Sequence, residues 1–167
     1  MKFIAPHQDQ WHRCAGEDGP VSHPAAAAHL LLSLEQWHAV RDTWPAELPV
    51  GVQLRNDFDV EDIAADLPRL ALIALDFPKW VDGRAYSQAR LLRVRLRFAG
   101  EIRAVGEVLV DMVPLLARTG FDAAQLRPDQ STEIARQQLG FFPRHYQGDV
   151  NQPRPAFAEN SADKVAA

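Results

Sequence analysis

Apolar and polar stretches alternate along this chain in blocks of strand and helix length. The clearest block is LALIALDF at 70–77, a continuous apolar run that ends in an acid. A run of that kind reads as a strand covered on both faces. Shorter runs at 29–33 (HLLLS), 49–56 (PVGVQLRN), 101–108 (EIRAVGEV) and 122–126 (DAAQL) read as further strands. Between them the pattern predicts helices over 34–44, 59–69, 83–97, 109–120 and 128–140. Asp59 is placed to cap the second of these, and Gly120 and Gly140 to close the last two. On the 83–97 helix, Ala85, Ala89, Leu92 and Leu96 share one apolar stripe at helical spacing. Strand then helix, about five times over, predicts an α/β domain built on a mostly parallel sheet of about five strands. Spacing leaves an open sheet and a partial barrel both available.

The ends break the pattern. Residues 1–23 show no sustained period and read as an N-terminal arm, with room for a short edge strand near residues 2–5. Residues 24–146 form the single domain. Residues 147–167, polar and proline-punctuated, read as a flexible tail.

Composition narrows the classes of function. The 167 residues carry a formal net charge of −4, which argues against a general nucleic-acid binder. The longest apolar run, at 24–34, is broken by His29 and is too short to span a bilayer. The N-terminus lacks the apolar core of a secretory signal, so a cytoplasmic protein is expected. One cysteine, Cys14, excludes a disulfide framework within the chain and a CxxC redox pair. The six histidines show no metal-ligand spacing, so no metal is expected. The glycine fingerprints of dinucleotide and P-loop sites are missing, as is the nucleophile elbow, and no cofactor is identified.

In parallel α/β folds ligands gather where strands end and helices begin. Those junctions collect Arg55, Asp76, Lys79, the 82–87 turn, Glu107 and Arg127. The turn, DGRAYS, raises two readings. In the first, the free N–H groups of a helix start join Arg84, Tyr86 and Ser87 to hold an anion. Arg55, Lys79, Gly83, Arg84, Tyr86, Ser87 and Arg127 then form an anion or ligand site. In the plainer reading, which local sequence favours, Asp82 caps the helix, Gly83 permits the turn and Arg84 lies in solvent. Asp76, at the end of its apolar run, is the candidate acid or base, or else a structural partner of Lys79 or Arg84. Arg90, Arg93 and Arg97 share a helix side with Tyr86. That stripe reads as a solvated face or as a docking surface for an acidic partner.

Three blocks carry a family resemblance: Phe77 to Ser87 (FPKWVDGRAYS), Gly100 to Val108 (GEIRAVGEV) and Arg118 to Asp122 (RTGFD). In this order and spacing they resemble a bacterial family whose members carry oxidoreductase names and are often encoded beside assimilatory sulfite reductase. The resemblance implies a setting, sulfate and sulfite reduction in a bacterial cytosol, and no established reaction. By position it also marks Arg93, Glu101, Arg103, Gly106, Glu107, Asp111, Arg118 and Asp122 as matching polar or turn residues. Pro114 and Thr119 depart from the expected pattern inside the 109–120 helix. Two functions follow as expectations. One is an oxidoreductase-type accessory of sulfite reduction with an anion or nucleotide-phosphate site at the strand ends. The other is a non-catalytic partner of sulfite reductase that docks through its arginine face. A homodimer is compatible with either.

Overall fold

Each apolar run of the central domain becomes a parallel strand. The structure is a computed structural model that describes residues 1–16, 19–142, 145–155 and 157–158. The strands are β1 (Lys2–Phe3), β2 (His12–Arg13), β3 (Ala15–Gly16), β4 (Gly19–Pro20), β5 (Leu30–Ser33), β6 (Val50–Leu54), β7 (Leu70–Phe77), β8 (Glu101–Gly106) and β9 (Ala123–Ala124). The helices are α1 (Leu34–Val40), α2 (Arg84–Arg90), α3 (Val113–Thr119) and α4 (Thr132–Phe141). Seven strands, rather than about five, make one all-parallel sheet in the order β1-β9-β8-β7-β6-β5-β2; β3 and β4 form a separate antiparallel pair. The two extra strands come from the N-terminal arm, which adds one short strand to each edge.

Strands β5 to β9 lie side by side in chain order, and their crossover segments pack on one face of the sheet. Trp37 and Val40 of α1, Ala85 and Ala89 of α2, and Leu116 of α3 join Val52, Leu54, Ile73, Leu75, Phe77, Ile102 and Ala104 in one buried core. Sheet residues of the opposite parity (Leu31, Leu72, Ala74 and Val105) form a second, smaller cluster with Trp11 of the arm. The sheet is therefore a curled, open half-barrel, with helices outside and the arm inside.

The arm shows how strong the curl is. It leaves β1 at one edge and enters β2 at the other, so residues 4–11 cross the inner face. Six strand spacings measure about 29 Å on a flat sheet. Nine extended residue steps reach only about 30 Å, and Pro6–Gln8 spend theirs in a 3-10 turn. The span closes because the sheet bends.

Local chemistry sets the element ends. Ser33 and Gln36 form a reciprocal capping box at α1: Gln36 N donates to Ser33 Oγ at 3.2 Å, and Ser33 N donates to Gln36 Oε1 at 2.8 Å. The helix expected at 59–69 is capped by Asp59 but winds as 3-10 turns over Val60–Arg69, where Pro68 has no N–H to give. The helix expected at 109–120 starts as a 3-10 turn (Val110–Met112), and Pro114 then falls in the first turn of α3, where proline is tolerated instead of kinking an interior. Part of the stretch read as a loose tail lies against α3: Val150 N donates to Arg118 O at 3.1 Å, and Asn151 Nδ2 to Ala117 O at 2.8 Å.

Candidate functional site

The inner face sets small and polar residues among a few apolar ones. Register across the sheet aligns Arg13, Leu31, Gly51, Leu72 and Glu101 in one row, and Ser33, Gln53, Ala74, Arg103 and Ala123 in the next. Gly51 leaves room for Trp11. A Cβ at that position would stand 3.2 Å from the indole and 3.1 Å from Leu72 Cβ. The Trp11 ring also meets His29 edge-on, with centroids 5.2 Å apart. One row up, the Arg103 side chain is 3% exposed and is held by two carboxylates. Nη1 donates to Asp9 Oδ2 at 2.6 Å, and Nε to Glu101 Oε1 at 2.8 Å. The other oxygen of Asp9 accepts from Trp11 N at 3.1 Å. A buried guanidinium needs such partners, because an unpaired charge there costs several kcal/mol.

Asp76 is the next inner residue of β7 toward the carboxyl end. It is half-buried and makes no hydrogen bond or ion pair among the described residues. Burial raises its pKa above the usual aspartate value, while the charges of Arg13 and then Arg55 pull it back. Gly106 makes space beside it. At φ +93° it adopts a conformation that favours glycine, and a Cβ there would lie 2.5 Å from Phe77 O and 2.8 Å from Asp76 Oδ1. Just past the end of β6, Asn56 is buried with its side chain toward the Asp82 carboxylate, and on α2 the Oε1 of Gln88 is buried without a hydrogen-bond partner. Gln88 spends its Nε2 on Arg55 O and Phe58 O, both at 2.8 Å. The loop after β7 starts from this edge and exposes Pro78, Lys79, Trp80 and Val81, the last two by 56% and 65%. The edge thus offers a carboxyl that takes up a proton more readily than usual and an unbonded amide oxygen on Gln88, with the charge of Arg13, whose guanidinium makes no bond among the described residues, in range of that carboxyl.

The residues singled out at the 82–87 turn have different neighbours. Asp82 Oδ1 accepts from Arg84 N at 3.3 Å and from Arg84 Nε at 3.0 Å, and Oδ2 takes Arg84 Nη2 at 2.7 Å. These contacts with Arg84, aided by Asn56, hold Asp82 well below the usual carboxylate range. The Asp82 carboxylate therefore itself occupies the start of α2, where the anion-site reading of the turn would seat a ligand. Gly83 is the N-cap, and Ser87 is exposed. Tyr86 turns inward between Phe77 and Phe121, at 5.2 and 6.5 Å between ring centroids, and burial pushes its phenol up. Arg55 pairs with Asp57 at 3.1 Å. Arg127 pairs with Glu107 at 2.8 Å and with Asp129 at 2.6 Å, which holds Asp129 down at about 2. Lys79 is exposed with no ion pair among the described residues.

The arginine stripe does not survive as drawn. After Arg90 the helix widens into a π turn over Leu91–Arg95, which breaks the α-helical spacing that grouped Arg90, Arg93 and Arg97. Arg93 turns in. Its guanidinium donates to Gly120 O at 3.0 Å, to Gly100 O at 2.8 Å, to Phe98 O and to Asp122. Arg95 pairs with Glu61 at 2.7 Å. Arg90 and Arg97 remain exposed and make no side-chain bond among the described residues; Arg97 has a left-handed φ of 57°.

The pattern gave no sign of Asp9, Trp11 or Arg13, because the arm has no period. The alternation of Glu101, Ile102 and Arg103 was the available signal: charged residues of one parity in a strand mark a polar sheet face. Among the described residues no group of three His, Cys, Asp or Glu side chains is placed to hold a metal, and no helix is long and apolar enough to cross a membrane. A family model described as "bacterial protein of unknown function (DUF934)" matches residues 51–157. The matched part includes Arg55, Asp76 and Arg103 but not the arm. No curated protein matches the chain.

Proposed function

The chain belongs to this bacterial family of unknown function, and from the geometry of the strand ends we propose that it is an oxyanion-binding accessory of assimilatory sulfite reduction. The setting comes from the three sequence blocks around DGRAYS. The binding chemistry comes from one observation: Asp76 is half-buried and unpartnered at the carboxyl end of a central strand, within reach of the charges of Arg13 and Arg55. A protonated Asp76 donates a hydrogen bond to an oxyanion, and a guanidinium supplies the charge-assisted partner. Sulfite suits such a site because it exchanges a proton near neutral pH; a nucleotide phosphate shares that chemistry. Electron transfer would require a borrowed cofactor, since one cysteine cannot run a dithiol cycle within a single copy.

Thermal stabilisation and titration calorimetry with sulfite, sulfate, phosphate, flavin nucleotides and nicotinamide nucleotides test this reading. One oxyanion class should raise the melting temperature by several degrees. Its affinity should fall about tenfold in Arg13→Ala, the loss of one charge-assisted contact. In wild type it should weaken as pH rises through the Asp76 transition, and Asp76→Asn should remove that pH dependence. No stabilisation by any ligand, or equal binding by Arg13→Ala, would sink the proposal.

A second reading is favoured by Arg90 and Arg97, which are exposed and without partners among the described residues. They give an acidic surface of sulfite reductase two guanidiniums to dock on. Co-purification that survives both high salt and the Arg90→Glu/Arg97→Glu change would remove it.

A further inference from the structure

The inner face holds one long-range ion pair whose consequence reaches the strand-end site. Asp9 and Arg103 are 94 positions apart, and their contact at 2.6 Å lies where the arm crosses β8. The arm is held at three further places. Lys2 N and Ile4 N donate to β9 and its flank, at Asp122 O (2.7 Å) and Ala124 O (2.9 Å). Trp11 sits over Gly51. His12 N donates to His29 O at 3.0 Å, where the arm joins β5. Arg13 follows in register with Leu31, whose side chain belongs to the inner face. Thus the chain cannot reach Arg13 without passing the Asp9 and Trp11 anchors.

We infer that the Asp9–Arg103 ion pair is a clasp that seats the arm across the half-barrel and thereby fixes Arg13 on the inner face with its charge in range of the strand ends, making Asp9 and Arg103 positioning residues of the strand-end site. The use of that site for an oxyanion rests on the function proposed above; the clasp itself does not. The chemistry of the pair supports the role. Asp9 bonds Arg103 with one oxygen and Trp11 N with the other, so it couples the β8 anchor to the indole anchor within three residues. Glu101 also holds Arg103, at 2.7 Å, so the guanidinium keeps a partner when Asp9 is neutralised, and the sheet itself is not at risk.

The test needs no ligand, because Asp76 reports the position of Arg13. Carboxyl ¹³C NMR follows the titration of Asp76 in wild type, Asp9→Asn, Trp11→Ala, Arg13→Ala and the Asp9→Asn/Arg13→Ala double variant. Two effects of Asp9→Asn have opposite signs. Loss of a nearby negative charge lowers the Asp76 pKa, whereas release of Arg13 raises it. The clasp predicts a net rise in Asp9→Asn of at most the size seen in Arg13→Ala, with no further rise in the double variant. Trp11→Ala, which changes no charge, should give the same rise. A downward shift or none in Asp9→Asn, or a larger shift in the double variant, overturns the clasp. Sulfite and phosphate titrations of wild type are read separately. A wild type that binds neither, with the Asp76 shifts as expected, rejects the oxyanion reading and keeps the clasp.

Discussion

Asp76 shows how one residue's surroundings oppose one another. Its position at the end of an apolar strand removes water from the carboxyl, and that penalty outweighs the attraction of Arg13 and Arg55. The folded state therefore resists ionising Asp76, while the unfolded chain does not. A group with a raised folded pKa favours the fold at pH below its unfolded value, and that advantage is lost as pH rises through the folded value. Asp76→Asn removes the resistance. The variant should be more stable than wild type at neutral pH, with the difference closing as pH falls to the ordinary carboxylate range. Urea midpoints measured across that range check this, and a variant less stable at pH 7 would mean that Asp76 makes a bond that its burial does not suggest. Exposed pairs such as Arg84 with Asp82 change little on this scale, since water screens them.

At the scale of elements, Arg93 joins three pieces that the chain makes at different times. It leaves the π turn after α2 and donates to carbonyls at the start of β8 and at the end of α3, and its charge meets Asp122 before β9. Asp122 returns the tie by accepting from Ile102 N at 2.8 Å. A lysine carries the same charge but cannot fork toward several carbonyls at once. Arg93→Lys should therefore cost about 3 kcal/mol, because buried carbonyls lose their donors. Chemical denaturation measures it, and a cost below about 1 kcal/mol would mean that water replaces those bonds. The same residue shows where pattern reading stops. Apolar runs placed β5 to β9 within a residue or two, because burial on a parallel sheet is written into consecutive residues. The helix over 83–97 was legible to Arg90. Its π turn was not, since one widened turn depends on carbonyls from β8 and α3 that no local spacing reveals. Asp76 was legible from its place at a strand end. The anion turn at 82–87 is, in three dimensions, a helix start filled by its own Asp82.

The whole molecule poses a problem of coverage. An all-parallel sheet usually has helices on both faces, yet here the crossover segments take only the outer one. The inner face is closed by an arm of about a dozen residues, one tryptophan and one buried ion pair. Long-range placement of this kind leaves no period in the sequence, which is why Asp9, Trp11 and Arg13 could not be grouped with Asp76 beforehand. It also predicts an uneven stability. β7 pairs over five residues with β6 and six with β8, whereas β1 and β2 pair over two residues each at the two edges. Short edge pairings open locally, and central ladders open only when the molecule unfolds. Native-state hydrogen exchange should thus find the His12 amide opening at least about 2 kcal/mol more easily than those of Ile73 and Ala74. Adding a bound oxyanion should narrow that gap, because a ligand on Arg13 stabilises the seated arm by mass action. If His12 exchanges only with the global transition, the arm folds as one unit with the sheet, and a ligand at Arg13 has no local opening to suppress. If it opens early and an oxyanion that binds leaves it unchanged, the ligand is not held by Arg13, and the site is built from the strand ends alone.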